Sequence, residues 1–284
     1  MNLRPPNPRL NAYRADLADA RLEGRVAAVK FVDGWPGQVR VAVAHVLGAP
    51  DAGEALTTQL LFGETVRVFE EHEGWAWVQA DVDGYVGYVA AAAISRTVAT
   101  PTHKIVALST PAMARPDVKS QPLVDLAFGA RVTVEREDNG FGGLAIGAFI
   151  PLPHLVAIDA FEIDFVAVAE RFLGTPYLWG GRTRAGLDCS GLVQTALRAT
   201  GFEAPRDTDM QQAALGTAVN HSPSLEGLRR GDLVFWRGHV GIMTDDTHLL
   251  HANGFHMRVV VEPLVETVAR IKAIGSEVVA VKRL

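Results

Sequence analysis

Three textures of apolar and polar positions succeed one another along this chain. Residues 1 to about 38 begin rich in Pro and Arg and continue into a polar, amphipathic stretch whose spacing predicts a helix over 12–22, an arm packed on the neighbouring domain. From Val39 to about Ala157 short alternating apolar runs are broken by Gly, Asp and Pro, which predicts small all-β modules. From Glu162 the texture is mixed. "EIDFVAVAERFLG" has helical spacing (Phe165, Val168, Ala169, Phe172), with Gly174 as a left-handed stop. A second helix begins around Cys189, with Leu192, Val193, Ala196 and Leu197 on one face and Gly201 at its end. A polar loop around "PRDTDMQQ" then leads into strands at "DLVFW", "HVGIMT", "HLLHA" and "RVVVEPL", an α+β arrangement.

Two stretches of the β region are related. "LLFGETVRVFEEHEGWAWVQADVDGYVGYV" and "LAFGARVTVEREDNGFGGLAIGAFIPL" share a Phe-Gly turn, V-x-V alternation, an acidic stretch and a Gly-rich hairpin, which predicts tandem small β-barrels. The first carries Trp75, Trp77, Tyr85 and Tyr88; the second has only Phe141 and Phe149 at comparable places. Such rings either fill a small core or face a ligand or the next domain.

Composition narrows the classes of function. At about 150 residues per domain, 284 residues predict two or three domains. The net charge is −5 and no Lys/Arg cluster occurs, so nothing points to nucleic acid or an anionic membrane. The start of the chain has no apolar leader, and no apolar run reaches the ~18 residues needed to cross a bilayer. The expectation is a soluble, cytoplasmic protein.

The chain has a single cysteine, which excludes an internal disulfide framework and a cysteine-rich zinc site. Cys189 stands at the predicted start of a helix, where unpaired N–H groups and the helix dipole favour thiolate, a competent nucleophile. The alternative is a buried, inert thiol. Of nine histidines, His239 and His251 stand out. They fall on consecutive predicted strands, where the rings can be cross-strand neighbours and one can fix the tautomer of the other. His45, His72, His103, His154, His221 and His248 read as structural or exposed. His256 is ambiguous.

"GTPYLWGGRTRAGLDCSGLVQTAL", "RRGDLVFWRGHVGI" and "HLLHANG" together resemble the NlpC/P60 family of papain-like cysteine peptidases, which cut bacterial cell-wall peptides. The upstream repeats resemble bacterial SH3-like domains, and the layout is similar to the γ-D-glutamyl-L-diamino acid endopeptidases. The resemblance implies an α+β papain-like catalytic domain over 159–284, two small SH3-like β-barrels over 39–100 and 101–158, and an N-terminal arm over 1–38. It implies Cys189 as nucleophile, His239 as base and then acid, His251 as the third member, and Tyr177 as an oxyanion donor with the Cys189 N–H. Asp188 and Ser190 would line the pocket. Asp207 would bind the free amine of the substrate beside Thr208, where serine is usual. Tyr85 or Tyr88, with Glu64, would close that end from the first SH3-like domain.

The implied substrate is a murein tripeptide or tetrapeptide with free N-terminal L-Ala, cut at the γ-D-glutamyl bond during peptidoglycan recycling, with no cofactor and no metal. The alternatives are another NlpC/P60 amidase or a catalytically silent wall-peptide-binding protein. Permuted lipid-acting relatives place the histidine first, whereas Cys189 precedes His239. A metal hydrolase lacks any clustered ligand spacing.

Overall fold

The computed structural model describes residues 5–220 and 225–284; His221 lies outside the described residues. The chain divides into two compact units, Met1–Ala160 and Phe161–Leu284.

The first unit opens with Leu17–Asp19 (β1), paired in parallel with Lys30–Val32 (β2). The helix expected over 12–22 is absent apart from one tight turn at Ala20–Leu22. Tertiary packing overrides its local spacing: Ala12 and Leu17 are buried in a cluster with Phe69 and Trp77. Beyond the arm run Trp35–Val39 (β3), Val43–Leu47 (β4), Leu56–Leu61 (β5), Thr65–His72 (β6), Trp75–Ala80 (β7), Val86–Ala90 (β8) and Ile94–Ser95 (β9). They pair in the order β5-β4-β8-β7-β6-β3-β9. Alternation sets the core: Val66 and Val68 point inward with Ala76, Val78 and Val89, while Thr65 and Arg67 stay partly exposed.

The second half of this unit comprises His103–Ile105 (β10), Ser109–Met113 (β11), Pro122–Ala127 (β12), Arg131–Val132 (β13), Val134–Asp138 (β14), Phe141–Leu144 (β15), Phe149–Pro151 (β16) and Leu155–Ala157 (β17). Two sheets, β12-β11-β16-β15-β14 and β13-β10-β17, repeat the pairing order of the first half, with β6 replaced by β13 and β14 in succession. The Phe-Gly turns coincide, with φ +78° at Gly63 and +84° at Gly129. A β-carbon on Gly63 would lie 2.0 Å from the Arg131 carbonyl oxygen, so only glycine fits where the halves touch.

The second unit starts with the helix Phe165–Glu170 (α1), capped by Asp164, whose carboxylate accepts from the N–H groups of Val166 and Ala167. A small hairpin, Arg182–Thr183 (β18) and Gly186–Leu187 (β19), leads into Cys189–Ala199 (α2). Next come Thr208–Ala214 (α3) and Thr217–Ala218 (β20). The expected polar loop at "PRDTDMQQ" is therefore helical from Thr208 onward. Its inward residue Gln211 explains why, since its side-chain amide donates to the carbonyls of Ser190 and Pro205, each at 2.9 Å.

The remaining strands, Leu233–Trp236 (β21), His239–Met243 (β22), His248–Asn253 (β23), Arg258–Pro263 (β24) and Val278–Arg283 (β25), form an antiparallel sheet in the order β20-β25-β21-β22-β23-β24. Helix Leu264–Ala273 (α4) intervenes before β25. Helix α2 lies against β22 and β23 and is buried from Cys189 through Leu197. Among the described residues no helix is long and apolar enough to cross a membrane.

Candidate active site

The start of α2 is held by one carboxylate. Asp188 caps the helix, with Oδ1 accepting from the Gly191 N–H at 2.6 Å and Oδ2 from the Gly180 N–H at 2.8 Å. Arg206 closes on both oxygens, Nη1 to Oδ1 at 3.0 Å and Nη2 to Oδ2 at 2.6 Å, and is itself only 1% exposed. Ser190 completes the cluster, donating to Asp188 and accepting from Arg206. Asp188 and Ser190 are thus turned inward and fix the geometry beneath the sulfur. Gly191 is required here, because a β-carbon would lie 2.3 Å from the Gly181 carbonyl. Sequence reasoning missed Arg206. Its trace was a cation directly after the apolar pair Ala204-Pro205.

Cys189 is the first residue of α2 and is 5% exposed. Its sulfur lies 3.9 Å from the Thr208 hydroxyl at the start of α3. Burial, followed by the adjacent Asp188 charge, pushes the thiol up to about 11, while the Val240 backbone N–H, the Thr208 hydroxyl and Arg206 pull the other way. Burial of the sulfur thus opposes the thiolate that a helix start favours.

His239 begins β22, the strand whose next residue presents its N–H to the sulfur. The register Ile242 to Leu250 on β23, and His251 to Val260 on β24, puts His239, His251 and Glu262 on one face of three adjacent strands. His239 Nε2 lies 2.8 Å from His251 Nδ1, and His251 Nε2 lies 2.6 Å from Glu262 Oε1. Glu262 also meets His256 Nε2 at 3.2 Å and the Arg270 guanidinium. Burial would raise the Glu262 pKa, but the hydrogen bonds from His251 and His256 and the charge of Arg270 overcome it and hold the carboxyl at about 2. Burial first, then His251 and Arg270, push His239 well below the usual histidine range. His251 is lowered chiefly by burial, against the pull of Glu262. Glu262 also escaped sequence reasoning. Its trace was an acidic residue two positions after Val260, on the same face of a largely apolar strand.

Tyr177 lies on the chain segment that pairs with Leu187, and its N–H donates to the Met257 carbonyl at 2.9 Å. Burial, then the neighbouring Cys189 and Asp188, raise its phenol pKa, so the hydroxyl stays protonated and able to donate. Asp207 immediately precedes Thr208 at the head of α3. Thiol, imidazole pair, phenol and acid–hydroxyl pair thus belong to one unit, and the set suits nucleophilic attack on a carbonyl with a histidine handling the proton.

The three residues expected from the β region lie in the first unit. The Glu64 carboxylate accepts from the Leu61 N–H at 2.9 Å, closing its own turn. Tyr85 is buried, and the Tyr88 hydroxyl accepts from Arg14 Nη1 at 2.9 Å. Arg14 also lies 4.4 Å over the Trp77 ring, which is 3% exposed, so Trp77 belongs to the core under the arm. Of the remaining histidines, His45 and His72 are exposed, while His103, His154 and His248 are held by Thr102, Thr110 and Asp245.

Residues 174–275 match the NlpC/P60 family, and residues 46–94 match the bacterial dipeptidyl-peptidase Sh3 domain. The chain carries an NlpC/P60 domain and is a cysteine peptidase. This peptidase is 28% identical over 236 residues to the gamma-D-glutamyl-L-lysine dipeptidyl-peptidase of Bacillus subtilis, covering 75% of this chain and 77% of the relative. It is 26% identical over 235 residues to dipeptidyl-peptidase 6 of Lysinibacillus sphaericus, covering 74% and 85%. Its fold is similar to that of a solved NlpC/P60 family protein from Bacillus cereus, with a TM-score of 0.73 at 21% identity over 87% of this chain and 99% of the other.

Proposed function

We propose that this peptidase is an endopeptidase for cell-wall peptides, cutting the bond between γ-D-glutamate and a diamino acid in tripeptides or tetrapeptides that begin with free L-Ala. The observation that carries the reading is the placement of the Asp207-Thr208 pair. The Thr208 hydroxyl stands 3.9 Å from the Cys189 sulfur, and Asp207, the acidic residue read as the anchor of a substrate ammonium, directly precedes it in the chain. Two relatives named gamma-D-glutamyl-L-lysine dipeptidyl-peptidase support the choice of bond. Free peptides of this kind arise from wall turnover, which supports reading the enzyme as part of their recycling inside the cell.

In this mechanism Cys189 is the nucleophile and gives its proton to His239 as sulfur attacks the γ-glutamyl carbonyl. The Tyr177 hydroxyl and the Cys189 N–H stabilise the oxyanion, with Asp188 and Ser190 holding the helix start beneath them. His239 then protonates the leaving amine, and water activated by the same ring releases the acid. His251 orients His239. The matching pairing order of the two halves of the first unit supports reading 39–100 and 101–158 as two SH3-like barrels after an arm over 1–38, with the peptidase over 159–284. Glu64 and Tyr88 have bonds of their own within that unit, so the substrate reading rests on the second unit.

The test compares L-Ala-γ-D-Glu-diamino acid with its N-acetylated form, products being read by mass spectrometry. The free peptide is expected to be cut and the acetylated one spared, with Cys189→Ala inactive on both. Equal cleavage of both removes the amine anchor. Turnover by Cys189→Ala ends the mechanism.

A further inference from the structure

A histidine pair does not by itself decide where its protons sit. One proton occupies the 2.8 Å contact between His239 Nε2 and His251 Nδ1. If it belongs to His251 Nδ1, a neutral His239 carries its own proton on Nδ1 and has no lone pair left for a thiol proton. If it belongs to His239 Nε2, then Nδ1 is basic. That nitrogen has no hydrogen-bond partner among the described residues.

The choice is made on the far side of His251. Its Nε2 lies 2.6 Å from Glu262 Oε1 and 2.8 Å from Asn253 Nδ2, and it cannot donate to the first while accepting from the second. The Asn253 amide is oriented by a separate bond, its Oδ1 accepting from the His256 N–H at 2.7 Å. Glu262 faces His251 from β23, His256 from the turn and Arg270 from α4, three groups that favour its ionised form. An unprotonated Nε2 beside that carboxylate would set lone pair against lone pair across 2.6 Å, a closer approach than the ring makes to His239 or Asn253. The proton therefore sits on His251 Nε2, which leaves Nδ1 to accept from His239 Nε2.

We propose that Glu262 is a positioning residue which, by holding one proton on His251 Nε2, fixes the tautomer that makes His239 Nδ1 the base for Cys189. The inference rests on His239 serving as that base. When the Cys189 S–H proton passes to His239 Nδ1, the resulting imidazolium keeps its Nε2–H on His251, and Glu262 stays ionised throughout. No proton travels further.

The test uses the full chain labelled with nitrogen-15, reading histidine tautomers by nitrogen–proton correlation, with kcat and KM measured in parallel on the free peptide. Wild type is expected to show Nε2–H on both His239 and His251. Glu262→Gln is expected to mix the His251 tautomers and lower kcat by on the order of 10- to 100-fold, part of the ~10²–10⁴ a base contributes, with KM little changed. Glu262→Asp should restore part of both, and Asn253→Ala should leave the tautomer in place. A His251 Nδ1–H signal in wild type overturns the proposal, as does a tautomer moved by Asn253→Ala and unmoved by Glu262→Gln. If wild type cuts none of the peptides, the substrate assignment falls while the tautomer spectra still decide the role of Glu262.

Discussion

Arg206 and Asp188 face each other as a two-point ion pair, at 3.0 and 2.6 Å, with the arginine walled off from solvent beside the start of the helix that carries Cys189. An ion pair so placed is valuable less for net stability than for what happens when half of it is removed. Arg206→Ala leaves the Asp188 carboxylate buried without its counter-charge, its remaining bonds being those from Gly180, Gly191 and Ser190, with an expected loss of about 3–5 kcal/mol. Urea unfolding monitored by tryptophan fluorescence measures it. A loss within the ~0–1 kcal/mol of a surface pair would show that water takes the place of the guanidinium.

The buried sulfur makes a kinetic prediction. Alkylation of wild-type Cys189 by iodoacetamide, read by intact mass, should keep rising with pH through the neutral range, because the thiol pKa stands at about 11. A plateau reached by neutral pH would mean a standing thiolate–imidazolium pair, contrary to the burial of the sulfur.

Tyr177→Phe removes a hydroxyl whose raised pKa keeps it a donor. Loss of one oxyanion donor is expected to lower kcat by roughly 10²–10³ while KM stays close to wild type. Unchanged kcat would assign the phenol to packing.

Stability should fall with acid in two stages of the same sign. His239 and His251 are held below the ordinary histidine value of 6.5, so below that pH the unfolded chain takes up protons that the folded chain resists. Glu262 is held at about 2 against 4.5, so its contribution is full above pH 4.5 and is lost as pH falls toward 2. Thermal melts from pH 7 to 3 should show a declining midpoint, and Glu262→Gln should flatten the lower part of the decline. A midpoint independent of pH over that range would contradict the burial of these groups.

Much of the site was legible in the order of residues alone. Leu192, Val193, Ala196 and Leu197 announced the helix behind Cys189, and strands carrying His239 and His251 showed in the alternation around them. The hidden parts depend on contacts distant in the chain. Arg206 looks like an ordinary surface cation until the fold brings Asp188 to it, and Glu262 gains its meaning only when three strands fall into register. The arm misled because Ala12 and Leu17 sit in a stretch of helical spacing yet pack against Phe69 and Trp77. The helix at Thr208–Ala214 was obscured by polar residues, among them Gln211, which is polar and still buried.

The seam inside the first unit has a mechanical consequence. Leu61, at the end of β5, is buried among Ile105, Leu126 and Ile150 of the other half, and the Arg131 carbonyl sits where Gly63 lacks a side chain. Cutting the chain between the halves would strip a hydrophobic lining from one piece and its plug from the other. The two halves of this unit are therefore bound to melt as one cooperative body, and neither can be lifted out as a free-standing part.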